Sequence, residues 1–325
     1  MKEVKVSVIC LTYNHEKYIK KALEGFVSQK TDFSYEVLIH DDASTDGTAN
    51  IIREYQKAYP EIIKPFFQTE NQYSKGIRIV RQYLLPYSKG EFLAFCEGDD
   101  YWVDENKLQK QYDVMMNNPK VVFCAHKVQC VNEDDSYNNR IIPSDRCGLK
   151  ETCNLTQARF SDLLFIKGSY CFQTSSYFIQ KKVYMETETL RPYFNGDQTM
   201  LYAALKCGEV YYISEVMSKR RLMTIGNFHQ RFLLLPDEQK MNHHLKKIDG
   251  NIFFDDWTKG KYSKKILYNN YLQLMQIALK YKEAKKYFKS YRKKYKFNWF
   301  ISLKLDVAYI LYYICPYILK KKLSL

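Results

Sequence analysis

The sequence predicts an α/β protein with a mixed, mostly parallel sheet and a helical C-terminal extension. Three observations lead to this prediction. Short β-branched runs alternate with amphipathic segments in the first 120 residues, polar clusters follow three of those runs, and the excess positive charge is confined to the end of the chain. Strands that alternate with helices are typical of βαβ units, whose strands run parallel.

The first 120 residues contain four predicted strands and three predicted helices. The run VKVSVICL is apolar and β-branched, and it ends at the polar stretch TYNHE, as a buried strand does. The following segment repeats its apolar residues at helical spacing. By the same criteria, the strands are residues 4–11, 36–40, 62–68 and 91–96, and the helices are residues 16–29, 48–59 and 77–87.

The pattern is less regular after residue 121. Strands are predicted at 121–131, 174–179 and 209–213, a helix at 196–207, and further helix from about residue 262. We therefore divide residues 1–225 into a first half, 1–120, that suits nucleotide binding, and a second half, 121–225, that suits binding of an acceptor molecule. Residues 226–325 form a basic helical C-terminal region.

The polar clusters fall where predicted strands end, at residues 12–16, 41–46 and 97–100. In open α/β sheets ligands bind beyond the carboxyl ends of the strands. The adjacent carboxylates of Asp99 and Asp100 repel each other unless a cation compensates them. Oxygen ligands favour magnesium or manganese, and such ions often hold diphosphates. The alternative is a loop in which Asp100 or Asp104 caps a following helix.

The second acidic cluster combines two roles. Ser44, Thr45 and Asp46 precede the predicted helix at 48–59, so we assign Asp46 to capping its N-terminus. Asp42 stands at the strand end, where a carboxylate can accept hydrogen bonds from a nucleobase or ribose. We assign Asp42 to the ligand.

Three sequence blocks, in this order and spacing, resemble a family 2 glycosyltransferase with the GT-A fold: VSVICLTYNHEKYIKKALEGFVSQ, YEVLIHDDASTDGT and KGEFLAFCEGDDYW. The likeness is strong over residues 4–130 and weaker to about 225. It implies a nucleotide-sugar pocket lined by Thr12, Asn14, Glu16, Asp42, Arg78 and Asp99, with Lys75 as an alternative to Arg78. Asp42 would bind the base, usually uracil. Asp100 would ligate manganese or magnesium, with Asp99 contacting the ribose or the metal shell.

The resemblance continues in the segment NGDQTML, which implies that Asp197 is the catalytic base; its alternative is a helix N-cap. An Arg-Arg-Leu-Met stretch follows at 220–223, where the family often has a histidine, so Arg220 or Arg221 would act on phosphate instead. Trp102 and Arg221 are assigned to the acceptor side.

Charge separates the chain into two parts. Residues 259–325 carry a balance of +15, and residues 1–258 a balance of −1. Basic residues flank an apolar, Trp- and Tyr-bearing segment at 299–319, which suits a helix lying on an anionic membrane. We therefore expect residues 280–325 to contact an anionic membrane surface and expect no nucleic-acid partner. A helix packed on the protein body is the main alternative.

The location is expected to be the cytoplasm or the inner face of the cell membrane, because the chain opens without a targeting segment and its cysteines lie in apolar runs. The expected function is metal-dependent, inverting glycosyl transfer from a nucleotide sugar, such as a UDP-sugar, to a glycan or lipid-linked acceptor. The bacterial family commonly builds surface polysaccharides. The alternatives are a nucleotidyltransferase, or a membrane or nucleic-acid binding module that uses the basic tail.

Overall fold

The computed structural model describes residues 3–167, 171–194, 196–222, 232 and 234–280. The chain divides into two compact units. The first contains residues 1–191 and 195–227, and the second contains Pro192–Phe194 and residues 228–325. The basic tail and the predicted membrane segment at 299–319 lie outside the described residues. Within those residues, none of the helices is both long and apolar enough to cross a membrane.

The first unit is built on one ten-stranded sheet. Its strands are β1 (Val4–Thr12), β2 (Ser34–Asp41), β3 (Ile63–Phe67), β4 (Phe92–Phe95), β5 (Tyr101–Trp102), β6 (Val121–Val131), β7 (Tyr137–Ile142), β8 (Cys153–Leu155), β9 (Phe178–Gln180) and β10 (Glu209–Arg221). The main order is β3-β2-β1-β4-β9-β6-β10-β5, while β7 pairs with β6 and β8 with β10. β1–β4, β6 and β10 run in one direction, and the other strands run against them.

The α-helices in the described part of the first unit are α1 (Ile19–Val27), α2 (Thr48–Ala58), α3 (Lys107–Asn117), α4 (Gln157–Asp162), α5 (Lys181–Met185), α6 (Thr187–Leu190) and α7 (Gly196–Cys207). The apolar face of α1 buries Ile19, Leu23 and Phe26 in the same core cluster as β1 and β2. Gly25 allows a close approach, because a Cβ there would lie 2.8 Å from the carbonyl oxygen of Trp102.

Several elements differ from their predictions. The segment predicted to be helical at 77–87 is helical over Val80–Tyr87, but as a π-helical turn, Val80–Leu84, followed by a 3-10 turn, Leu85–Tyr87; Pro86 cannot continue an α-helix. The strand predicted at 174–179 begins as a 3-10 turn, Thr174–Ser176, before β9. The strand predicted at 209–213 continues to Arg221, with irregular register between Ile213 and Ser218.

The described part of the second unit centres on two helices, α8 (Asp237–Trp257) and α9 (Ser263–Lys280). Asn251 donates from its side-chain amide to Oδ1 of Asn270 at 2.6 Å, which joins the two helices through a buried hydrogen bond. The ring of Phe254 stacks on Tyr262 at 5.9 Å between centroids. These contacts agree with the helical C-terminal region that the sequence predicts.

Candidate active site

The polar clusters found in the sequence meet at one edge of the sheet. β1, β2, β4, β6 and β10 all run in the same direction, so their carboxyl ends share an edge. Thr12 ends β1, Asp41 ends β2, and Glu97 follows β4 by two residues. This edge is the usual ligand-binding position in open α/β sheets.

Three carboxylates form a compact cluster just after β4. One ligand oxygen from each of Glu97, Asp99 and Asp100 lies within 4.8 Å of the others. Loss of hydration and the Asp99 and Glu97 charges raise the pKa of Asp100 well above its usual range, although Arg220 and the backbone N–H of Arg221 oppose this rise. The same crowding concentrates negative charge in a small volume.

The Glu97 residue is exposed and lies beside Asp99 and Asp100. Reduced hydration, followed by the charges of Asp99 and Asp197, raises its pKa to about 7, while Arg220 opposes the rise. Glu97 therefore connects the carboxylate cluster electrostatically to the predicted base, Asp197.

Gly98 lets this loop approach the end of β1. A Cβ at this position would lie 2.7 Å from Oγ1 of Thr12 and 2.9 Å from Nδ1 of His15, closer than side chains tolerate. Both of these atoms are buried without a hydrogen-bond partner among the described residues. Thr12, a predicted nucleotide-pocket residue, therefore points a polar atom toward the carboxylate loop.

The carboxylate cluster fits a divalent cation. Its donors are all oxygen, which matches the preference of magnesium and manganese. A bound cation would also relieve the mutual repulsion that raises the pKa values of Glu97 and Asp100. Glu97, Asp99 and Asp100 are the residues that would hold it.

Arg221 lies inside the protein rather than at an open surface. Its side chain is 1% exposed, and its Nη2 lies 2.8 Å from Oδ1 of Asp135. Nη1 donates to the carbonyl oxygen of Asp99 at 2.6 Å, and the guanidinium lies over the rings of Tyr18 and Tyr101. Arg221 therefore joins β10, the carboxylate loop and the turn between β6 and β7.

Arg220 has a different environment from its neighbour. It is half-buried, and its positive charge opposes the rise in the pKa values of both Glu97 and Asp100. Because successive side chains along a strand point to opposite faces of the sheet, the two adjacent arginines have different neighbours. Arg220 is the arginine whose charge offsets that of the carboxylate cluster.

Asn14 and Glu16 build the loop that borders the site. Oδ1 of Asn14 accepts the backbone N–H of Thr45 at 2.8 Å, and Oε2 of Glu16 accepts that of Gly47 at 3.0 Å. Asn14 also adopts a positive φ of 54°, a conformation that asparagine tolerates better than most residues. Both side chains therefore shape the loop that the resemblance assigns to nucleotide binding.

Asp46 bonds to the first turn of α2 from the position before the N-cap, Gly47. Its Oδ1 accepts the backbone N–H of Thr48 at 3.0 Å. Although burial opposes the effect, hydrogen bonds from Thr48 and Glu16 lower the pKa of Asp46. The capping prediction is met only in part: Gly47 is the N-cap of α2 and makes no side-chain cap hydrogen bond, while Asp46, one position earlier, satisfies the first backbone N–H of the helix.

Asp42 is buried and holds a neighbouring loop. Its Oδ1 accepts the backbone N–H of Gln72 at 2.7 Å, and its Oδ2 accepts that of Tyr73 at 3.0 Å. Each carboxylate oxygen has a second lone pair, so these bonds leave acceptor capacity for a ligand. Asp42 thus fixes the segment after β3 as well as the end of β2.

Asp197 is the second residue of α7, whose first residue is Gly196. Its Oδ1 accepts the backbone N–H of Gln198 at 2.8 Å. A carboxylate in the first turn is stabilised by the helix dipole. Its charge contributes to the raised pKa of Glu97, which places Asp197 close to the carboxylate cluster.

Three other predicted residues have settings that the sequence did not indicate. Trp102 is 3% exposed, and its indole N–H donates to the carbonyl oxygen of Ser175 at 3.0 Å. The structure therefore places Trp102 in the core and not on an acceptor surface. Arg78 is exposed and forms an ion pair with Glu188, while Lys75 pairs with Glu70.

A cavity of about 620 Å³ adjoins Arg221 at the carboxyl edge. It is lined by Lys17, Tyr18, Asn132, Glu133, Asp134, Asp135, Ser136 and Arg221. The mixture of carboxylates, amide, hydroxyl and aromatic groups suits a polar, largely uncharged ligand. A second cavity of about 650 Å³ lies near Lys120 and Glu209, at the amino ends of β6 and β10, and shares none of the carboxylates.

Sequence reasoning gave no individual role to three residues of this region. Glu97 belongs to the acidic cluster, and its proximity to two aspartates in the chain was an available signal. Tyr13 lies between two predicted pocket residues and is 44% exposed, which is unusual for a large ring beside a buried strand. Gln173 donates to Oδ2 of Asp100 at 3.1 Å, and nothing in its local sequence indicates that contact.

Comparisons with known proteins agree with this architecture. The glycosyl transferase family 2 model matches residues 7–186. A Mycobacterium tuberculosis protein is 41% identical over 138 residues, which cover 42% of this chain and 39% of that protein. The Escherichia coli UDP-Glc:alpha-D-GlcNAc-diphosphoundecaprenol beta-1,3-glucosyltransferase WfgD is 29% identical over 143 residues, covering 44% of this chain. The chain spans only 39% to 53% of the length of these two relatives.

Solved structures share the fold at lower identity. S. aureus TarS 1–349 in complex with UDP-GlcNAc has a TM-score of 0.56 and 20% identity, covering 80% of this chain and 73% of that one. The mannosyltransferase PcManGT from Pyrobaculum calidifontis, in complex with GDP-Man and Mn²⁺, has a TM-score of 0.52 and 17% identity, covering 99% of this chain and 84% of that one. The predicted GT-A fold is thereby confirmed. Since the family model matches more than half of the sequence, the chain belongs to glycosyl transferase family 2, a family of glycosyl-transferring enzymes.

Proposed function

We propose that this protein transfers a glycosyl group from a nucleotide sugar to a glycan or lipid-linked acceptor with inversion of configuration. The observation that carries the proposal is the meeting of Glu97, Asp99 and Asp100 within 4.8 Å, electrostatically coupled to Asp197. The three clustered carboxylates suit binding of a cation that holds the donor diphosphate. Asp197, the fourth carboxylate, suits activation of the acceptor hydroxyl.

The donor is held by the loops after β1, β2 and β4. Thr12, Asn14, Glu16, Asp42, Arg78 and Asp99 form the proposed nucleotide-sugar set. Asp42 reads the base, and the exposed ring of Tyr13 offers a surface on which a base can stack. Uridine is the proposed nucleoside. The relative WfgD, as its name states, uses UDP-Glc, and TarS has been solved with UDP-GlcNAc.

Manganese or magnesium at the carboxylate cluster would stabilise negative charge on the departing diphosphate. Asp99 and Asp100 are the proposed ligands, and Glu97 joins them. PcManGT has been solved with Mn²⁺, which supports a cation in this fold. Arg220 supplies a further positive charge next to the cluster and is the arginine proposed to face phosphate.

Asp197 is the proposed general base. It accepts the proton of the acceptor hydroxyl as that oxygen attacks the anomeric carbon, and the bond to the diphosphate oxygen breaks on the opposite face. Because one displacement inverts the anomeric centre, a single base suffices. The cavity beside Arg221, with its polar lining, is the proposed place for acceptor sugar residues.

The acceptor that we propose is supported by the name of a relative, and the cellular setting by the positive charge of residues 280–325. WfgD is named for a diphosphoundecaprenol-linked acceptor. We propose a saccharide or lipid-linked acceptor of this class in bacterial surface polysaccharide synthesis. The basic residues 280–325 would hold the protein on an anionic membrane at the cytoplasmic side.

A donor screen tests this function. The protein is incubated with UDP-, GDP- and dTDP-sugars, with and without Mn²⁺ or Mg²⁺, and release of free nucleotide is measured. We expect cation-dependent hydrolysis of one nucleotide class, and none by Asp100→Ala. Equal hydrolysis of all classes in chelator, or by Asp100→Ala, would contradict the proposal. Sedimentation with vesicles of anionic or neutral lipid tests the membrane contact separately.

A further inference from the structure

Asp100 is held by two neutral hydrogen-bond donors that come from distant parts of the chain. The backbone N–H of Arg221 donates to Oδ1 at 2.9 Å, and the side-chain amide of Gln173 donates to Oδ2 at 3.1 Å. Each carboxylate oxygen keeps one further lone pair. The two bonds therefore fix the plane of the carboxylate without occupying its remaining acceptor sites.

The turn that carries Gln173 is itself anchored in the core. Trp102 donates to the carbonyl oxygen of Ser175 at 3.0 Å, and Gln111 donates to that of Ser176 at 2.9 Å. The hydroxyls of Ser175 and Ser218 lie 2.9 Å apart in a buried pair. These contacts hold the turn from three sides, so the position of the Gln173 backbone is set before any ligand arrives.

An amide is well suited to this position. One ligand oxygen from each of Asp100, Asp99 and Glu97 lies within 4.8 Å of the others, and repulsion between these carboxylates favours rotation of Asp100 away from its neighbours. A lysine or arginine in place of Gln173 would oppose that rotation but would also compete with a cation for the carboxylate. A neutral donor holds the orientation and leaves the negative charge available.

We propose that Gln173 is a positioning residue for cation binding: it orients the carboxylate of Asp100 toward the space shared with Glu97 and Asp99. The inference rests on the proposed function in one respect, namely that these carboxylates bind a divalent cation. Outer contacts of this kind typically contribute about 10- to 100-fold to metal affinity.

The test is Mn²⁺ binding to the full chain, measured by electron paramagnetic resonance without any sugar or nucleotide. Gln173→Met keeps the length of the side chain but removes the donor. We expect its Kd for Mn²⁺ to rise by about 10- to 100-fold. The matched control is Gln180→Met, because Gln180 donates to the carbonyl oxygen of Val121 in another part of the same sheet; its Kd should stay unchanged.

The possible failures are distinguishable. If the native chain binds no Mn²⁺, the cation assignment of the proposed function fails and this inference fails with it. If the native chain binds Mn²⁺ and Gln173→Met binds it equally well, only the role of Gln173 is overturned. A purely structural role for Gln173 would lower the melting temperature in chelator and leave the Kd of the folded protein unchanged, and this result would also overturn the inference.

Discussion

The ammonium nitrogen of Lys107 lies 4.0 Å from the centroid of the Trp102 ring, and neither side chain is more than 3% exposed. Nζ of Lys107 donates to Oε1 of Gln111 at 2.7 Å. Burial lowers the pKa of Lys107 to about 7, although the nearby Cys96, Cys124 and Asp104 oppose this effect. A buried lysine whose Nζ is hydrogen-bonded to a neutral amide is costly to keep charged.

Lys107 should therefore make stability depend on pH. Its pKa is about 7 in the folded chain and 10.5 as the ordinary value, so the unfolded chain binds more protons between these values. The free energy of unfolding should rise as pH rises through this window, by at most about 1.4 kcal/mol per pH unit. Lys107→Met should flatten the rise and stabilise the protein near neutral pH. Urea denaturation across the window measures this, with Lys57→Met as an exposed control; an unchanged slope in Lys107→Met would refute the prediction.

Asp100→Asn should abolish cation binding without destabilising the protein. The substitution removes one of three crowded carboxylates while it preserves the shape of the side chain. We expect Mn²⁺ binding and donor turnover to be lost, and the melting temperature in chelator to be equal or higher. Calorimetric titration with Mn²⁺ and thermal denaturation measure the two effects. Asp113→Asn, an exposed position on α3, is the control, and full activity of Asp100→Asn in chelator would show that the site was misassigned.

Asp197→Asn separates catalysis from a structural role in the first turn of α7. Asparagine keeps the shape of the side chain and the oxygen that accepts the Gln198 N–H, but it cannot take a proton. We expect transfer to fall by about 10²–10⁴-fold, with nucleotide and Mn²⁺ binding intact because those contacts come from other loops. Single-turnover transfer and UDP calorimetry on the same preparation give both readouts. Near-normal transfer would mean that the base lies elsewhere.

Asp42→Ala should raise the KM for the donor more than it lowers kcat, because contacts to the base act equally in the ground and transition states. The variant also removes the acceptor of the Gln72 and Tyr73 backbone N–H groups, so a loss of stability accompanies it. Thr156→Ala is the matched control: the Thr156 side chain caps α4 by accepting the backbone N–H of Arg159, so its loss should cost about 1 kcal/mol of stability while UDP affinity is retained. Unchanged UDP affinity in Asp42→Ala would count against a base contact.

The edge on which the site lies could be predicted from the sequence, because strand ends are visible as polar clusters and parallel strands bring those ends together. A bond from Asp46 to the first turn of α2 could also be predicted, since it joins residues two positions apart; that Gly47 is the N-cap could not. The structural roles of Asn14 and Glu16 could not, because their hydrogen bonds join residues about 30 positions apart. Pairings over such distances leave no local pattern.

Two further differences have equally physical causes. Trp102 follows the acidic loop directly, so its place in the chain suggests the site surface. Its ring instead fills the core beside Phe26, where a large aromatic group gains the most from burial. Arg220 and Arg221 are indistinguishable in the sequence, and only the register of β10, which is irregular before Ser218, decides which arginine meets Asp135.

The bond between the Arg221 backbone and Asp100 spans 121 positions of the chain, and it has a consequence for biosynthesis. A ribosome finishes the carboxylate loop before it reaches either Gln173 or β10, so the nascent loop at first lacks both donors that orient Asp100, and it lacks the Arg221 donor until β10 has been made. Contacts between such distant positions also form slowly, because a long loop must close first. The cation site should therefore mature only when β10 joins the sheet, late in the folding of the first unit.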